Sequence, residues 1–140
     1  NHSYRINPNY NDFVRVIVPA NATQRNVSGD CTPMSAAEPG HAVLACRMIL
    51  PEGEQRKLTF SWYTPPPAPD KHAAPAAQPQ YQLLIQRQAG AVLTAAVTVS
   101  PAPGMTVVNA SAGSVQKGAV QWTAHPFVSD TSIGVRVKTS

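Results

Sequence analysis

The sequence predicts an all-β protein, an immunoglobulin-like antiparallel β-sandwich of about eight or nine strands. Three observations predict it. Apolar and polar residues alternate with a period of two along most extended stretches, which assigns one face of each strand to a core. Turns rich in Pro and Gly punctuate those stretches. No stretch has a convincing helical period. The strongest stretch is YQLLIQRQAGAVLTAAVTV, from Tyr81 to Val99. It reads as a hairpin of two strands, Tyr81–Gln88 and Val92–Val99, folded back at Ala89-Gly90-Ala91. Gly90 supplies the positive φ that a short hairpin loop often needs. Tyr81, Leu83 and Ile85 share one face of the first strand; Leu93, Ala95, Val97 and Val99 share one face of the second. Both strands are long and lack Pro, so the hairpin is expected at the centre of the fold.

The other elements follow in order. Tyr10–Val18, YNDFVRVIV, is a strand with Val14, Val16 and Val18 on one face and Phe13, Arg15 and Ile17 on the other. Pro19 ends it, having no amide hydrogen for a ladder. Residues 20–41 form a long connection with one short strand around Arg25–Ser28. Ala42–Leu50 is the next strand, and Pro51-Glu52-Gly53-Glu54 is a turn. Gln55–Tyr63 follows with Leu58, Phe60 and Trp62 inward, and these two strands are expected to form a second hairpin. Residues 64–80 contain six prolines and are otherwise rich in Ala. This segment can neither form a helix nor join a sheet, and is expected to be an exposed extended loop. A docking site of the PxxP type is its functional alternative. Pro101–Gly104 is a turn, Met105–Ala110 a strand, and Ser111–Ser114 a turn. Ala119–Thr123 is a short strand with Trp122, and Ser132–Lys138 closes the fold with Ile133, Val135 and Val137 inward.

The chain has 140 residues, which suits one domain over 1–140 that buries roughly two-thirds of its unfolded surface. Only 13% of residues are charged, against about 25% in an average soluble domain, so Gln, Asn, Ser and Thr must carry the polar surface. The net charge is +4. The 11 Lys and Arg are scattered, with Arg56-Lys57 the one adjacent pair. Nucleic-acid binding needs clustered cations, so it is not expected; weak attraction to an acidic envelope polymer remains open. The chain starts NHSYRINPNYN and has no apolar run of the about 20 residues that cross a bilayer. It reads as a piece of a longer protein whose remainder would hold any signal or anchor.

Cys31 lies in the turn-rich SGDCTP and Cys46 in the strand-like HAVLACRMIL. A disulfide would tie that loop to that strand in an oxidising compartment. The alternative is two buried free thiols. Two cysteines without a matching His cluster do not make a four-ligand zinc site, and no metal or cofactor is expected.

Three segments together resemble a known family. Tyr10–Pro19 resembles a Y-x-N/D-aromatic-x-R-V-x-V-P strand, Leu50–Glu54 a P-G-E turn, and Tyr81–Gly90 a Y-x-L-x-x-Q-K/R-Q-x-G signature. They are similar, in order and spacing, to the β-rich C-terminal part of the bacterial envelope family called domain of unknown function four-zero-one-two. The chain departs from that pattern in having Pro-Glu-Gly for Pro-Gly, in its Pro/Ala insertion and in its cysteine pair. The resemblance implies an N-terminal membrane-spanning helix elsewhere in the full protein and an extracytoplasmic location for this part. It implies no catalytic residues.

Gln86, Arg87 and Gln88 are the most distinctive polar trio and form a candidate ligand-binding edge. The plainer reading is that the glutamines satisfy loop backbone while Arg87 covers apolar surface with its stem. Trp62, Tyr63, Tyr81 and Trp122 could form an aromatic platform for sugar rings, although Trp62 faces inward; Trp122 is the better candidate. His2, His41, His72 and His125 have no metal-ligand spacing. Cys31 with His41 could be imagined as nucleophile and base, but lacks an orienting motif. No Gly-x-Ser-x-Gly elbow occurs, and Glu52 with Glu54 reads as solvated charge. Asn1, Asn21, Asn26 and Asn109 head Asn-x-Ser/Thr sequons, which would suggest glycans in a eukaryotic secreted protein. The expected function is therefore non-catalytic: a structural or interaction module at the cell envelope, with a protein or envelope polysaccharide as partner. The alternative is a carbohydrate-binding module using exposed aromatics.

Overall fold

The structure, a computed structural model, describes residues 9–65, 80–86 and 93–139. Every regular element among the described residues is a strand. In chain order these are β1 (Tyr10–Pro19), β2 (Thr23–Gly29), β3 (Thr32–Met34), β4 (His41–Leu50), β5 (Leu58–Tyr63), β6 (Gln80–Ile85), β7 (Ala95–Val99), β8 (Met105–Ala110), β9 (Ser114–Gln116), β10 (Ala119–Ala124) and β11 (Thr131–Thr139). They pair antiparallel in four sheets: β1-β4-β3, β2-β5, β6-β11-β8 and β7-β10-β9. The all-β antiparallel class is as the alternation predicts. Among the described residues the strands number eleven rather than eight or nine, because β3 and β9 have three residues each. That is too short to display a period of two.

The chain divides into two compact units, Asn1–Pro65 and Pro66–Ser140. The division falls in the Pro-rich segment, the kind of composition at which few contacts cross. Of the loop expected at 64–80, only its two ends lie within the described residues.

In the first unit β1 and β4 pair without interruption from Tyr10↔Leu50 to Pro19↔His41. Val16 and Val18 turn inward opposite Leu44 and Ala42, and β2 and β5 contribute Val27, Phe60 and Trp62 to the same core. The turn at Pro51–Glu54 forms as expected: the Glu54 amide donates to the Pro51 carbonyl at 3.1 Å, and Gly53 takes φ 77°. It does not close a hairpin. β4 pairs with β1 and β3, whereas β5 pairs with β2, so the chain crosses from one sheet to the other.

The second unit repeats that departure. The hairpin expected at Tyr81–Val99 is not formed: β6 pairs with β11 and β7 pairs with β10. Tyr81, Leu83 and Ile85 meet Val97 and Val99 through the core around Val120, Ile133 and Val135. The physical reason is that alternation specifies which face is buried and not which strand lies alongside. Two strands joined by a short connection satisfy the same pattern side by side or facing each other across a core. A true tight hairpin joins β9 to β10. Gln116 faces Ala119, and Lys117 and Gly118 both have positive φ, 50° and 81°. These are the two central positions of a type I′ turn, whose twist suits paired strands.

Gly113 has φ 85°, and a Cβ there would run into the Gln121 carbonyl oxygen and reach 3.1 Å from the Trp122 Cβ. Gly53 has a similar φ but open space around it. Gly113→Ala is therefore expected to destabilise the protein by about 3 kcal/mol and Gly53→Ala by about 1 kcal/mol, as read from urea unfolding midpoints.

Burial raises the Tyr81 hydroxyl above its ordinary value of 10.0. The neutral form is favoured in the folded state, so its contribution is fully present below the unfolded value and is lost as pH rises through the folded one. Stability measured by urea unfolding should fall as pH rises above about 10. Tyr81→Phe should flatten that decline.

Candidate functional site

Two outward faces carry the features that could make contacts, one in each unit. The first is the solvent side of β1-β4-β3. Across its ladder Phe13 faces Arg47, Arg15 faces Ala45, Ile17 faces Val43, and Asn11 faces Ile49. β3 adds Thr32 opposite Arg47 and Met34 opposite Ala45. The wet side of an antiparallel sheet normally alternates to polar residues. Here Phe13, Ile17, Met34 and Ile49 are between 41% and 52% exposed. The charges at the outward positions are the two arginines, with no carboxylate among them. Asp12, the acid on β1, is buried, and its Oδ1 accepts the Phe13 amide at 2.8 Å.

The second is a cleft on β6-β11-β8. Asn109, Ala110, Ser111, Gly134 and Arg136 line a volume of about 180 Å³. Gly134 lies mid-strand on β11 opposite Gln82, and its missing side chain recesses the surface there. Ser111 fixes the wall by two bonds: its amide donates to the Gly134 carbonyl at 2.9 Å, and its Oγ accepts the Gly134 amide at 2.8 Å. A register shift follows Arg136. It faces Asn109, whereas Val137 faces Val107, leaving Val108 as the extra residue of a bulge. Such bulges re-aim side chains, and Val108 and Asn109 are both exposed. The Arg136 guanidinium has no carboxylate partner among the described residues.

The residues singled out in the sequence are dispersed. Gln86 is exposed just beyond β6, in alternation with the exposed Gln82 and Leu84; Arg87 and Gln88 lie outside the described residues. Trp122 is half-buried on β10, packs against the second core, and meets Phe127 edge-to-face at 6.1 Å. Trp62 packs against the first core and Tyr81 against the second, so these aromatic side chains are spent on cores. His41 Nδ1 lies 3.0 Å from the Pro39 carbonyl, and His125 Nδ1 lies 2.5 Å from Thr94 Oγ1. Among the described residues no group of three His, Cys, Asp or Glu could hold a metal ion. The cleft itself was missed in the sequence. Its one signal was a lone Gly inside the strand pattern SIGVRV, which marks a bulge or a close approach.

Cys31 and Cys46 form a disulfide, with Cα atoms 5.8 Å apart. Cys46 is fully buried, and Cys31 directly precedes β3, whose Pro33 faces Cys46 in the ladder. The bond holds the short β3 to β4. It also occupies the one thiol that His41 could have activated. No family model matches this chain, and no curated protein or solved structure does either. Among the described residues no helix is long and apolar enough to cross a membrane.

Closing a loop with a sequence separation of 15 is worth about 3 kcal/mol in the chain-entropy model. Reduction, or the double substitution Cys31→Ala with Cys46→Ala, should lower stability by about that amount. Paired denaturation curves with and without reductant check it.

Proposed function

We propose that this chain is a non-catalytic interaction module of immunoglobulin-like sandwich type, in the extracytoplasmic part of a membrane-anchored bacterial envelope protein. The observation that carries the reading is the outward face of β1-β4-β3. Phe13, Ile17, Met34 and Ile49 lie bare on it beside Arg15 and Arg47. Exposed apolar groups gathered on one face are a feature of protein contact sites. Aromatics, Met and Arg are the residue types enriched there. The two arginines on the face, which have no carboxylate partner among the described residues, suit a partner with carboxylates at its rim, which the arginine forks can bind in two-point contacts.

Further support comes from the disulfide, which suits an oxidising compartment, and from pairs of sheets sharing one core, which suits a sandwich. The resemblance described above supplies the bacterial envelope setting and the anchor. The carbohydrate-binding alternative draws on exposed aromatics; the packing of Trp122 on Phe127 weighs against a platform built on that residue.

A photo-crosslinking residue at position 17 of the full-length protein in intact cells should give one discrete adduct. The same residue at position 98, exposed on β7, should give none, and Phe13→Asp should remove the adduct from position 17 without lowering the unfolding temperature. Identical adducts from both positions, or none from either, would overturn the reading.

A further inference from the structure

The cleft at Gly134 has a chemistry distinct from the apolar face. All three of its polar side chains bring donors: the Arg136 guanidinium, the Asn109 amide and the Ser111 hydroxyl. The Ser111 oxygen accepts the Gly134 amide, and its hydroxyl keeps a proton that it can donate to a ligand. No carboxylate lines the cleft. Lys138 follows Arg136 on the same side of β11 and is exposed opposite Thr106. Two residues along a strand, the two cations stand about 7 Å apart. A planar fork beside an amide and a hydroxyl is the arrangement that recognises a carboxylate or phosphate.

Size sets what carries that group. A volume of about 180 Å³ falls short of the roughly 300–1,000 Å³ of sites that enclose a whole small ligand. The cleft takes one acidic group projecting from something larger. Around it the exposed outward residues are Gln82, Leu84, Gln86, Thr106, Val108, Ser132 and Lys138. Amides and hydroxyls predominate, which suits sugar hydroxyls. None is aromatic, so nucleic-acid bases would find nothing to stack on.

We propose that this cleft binds a single carboxylate or phosphate of an acidic polysaccharide, with Arg136 as the anchoring cation and Asn109 and Ser111 as neutral donors. The site lies on β6-β11-β8 and does not depend on the protein contact proposed for β1-β4-β3, so either can fail without the other.

The test is a titration of the ¹⁵N-labelled 140-residue chain followed by amide shifts. The probes are polygalacturonate fragments, a phosphorylated dextran, neutral dextran and single-stranded DNA. The expected result is a set of shifts centred on residues 109, 111, 134 and 136 with an acidic polymer and none with dextran. Whether the carboxylated or the phosphorylated polymer produces them identifies the source of the acid group. Arg136→Gln should weaken that binding about tenfold, the loss typical of one charge-assisted contact, and Lys138→Gln by less. Should Arg136→Gln disturb the fold, Asn109→Ala reads the same site. The proposal is overturned by binding to folded Arg136→Gln as tight as to the unsubstituted chain, by shifts spread over all lysines, by DNA binding as tightly as the acidic polymers, or by no shifts at all.

Discussion

The longer strands of this chain each have one face that must leave water, and no single sheet can dry it. Val120, Ile133 and Val135 are at most 1% exposed, because side chains from β6, β8 and β11 on one side and from β7 and β10 on the other close over them. Val18 and Leu44 are dried in the same way by Val27, Phe60 and Trp62 from the β2-β5 sheet. This requirement, that one apolar face find a second, governs the path of the chain. It explains why the connections after β1, β4 and β6 lead to a different sheet instead of an adjacent strand. Each crossing supplies the face that covers the previous strand.

Once the cores are dry, the opposite faces are free of structural duty, and they differ. The β1-β4-β3 face keeps Phe13, Ile17 and Ile49 in water beside two arginines. Apolar exposure of this kind does nothing for folding. The β6-β11-β8 face is polar, and its relief comes from an absence, the missing side chain of Gly134, and from the bulge at Arg136. The reading of the molecule as a module that makes contacts rests on these surfaces.

The disulfide works at a weak point of the same scheme. β3 has three exposed residues and contributes little apolar burial of its own. A covalent tie from Cys31 to the buried Cys46 supplies what hydrophobic packing does not, by limiting the freedom of the unfolded chain. β9 is equally short and is held by other means, the tight Lys117-Gly118 turn that sets it against β10.

Alternation along YNDFVRVIV, HAVLACRMIL and SIGVRVK marked the strands and their apolar faces, and those faces are buried or half-buried in the structure. The Pro51–Glu54 turn and the Cys31–Cys46 pair were legible too. Both hairpins read from neighbouring strands were not formed, β3 and β9 were too short to announce themselves, and the cleft brings residues 109–111 together with Gly134 and Arg136 with only a lone glycine to hint at it. The division has one cause. Whether a side chain prefers water or oil is a property of that residue and repeats along the chain, so the sequence alone determined strand, turn and buried face. A backbone ladder is chemically the same whichever strand supplies it, so partner, register and the outward neighbours that make a site were decided only when the faces met in three dimensions.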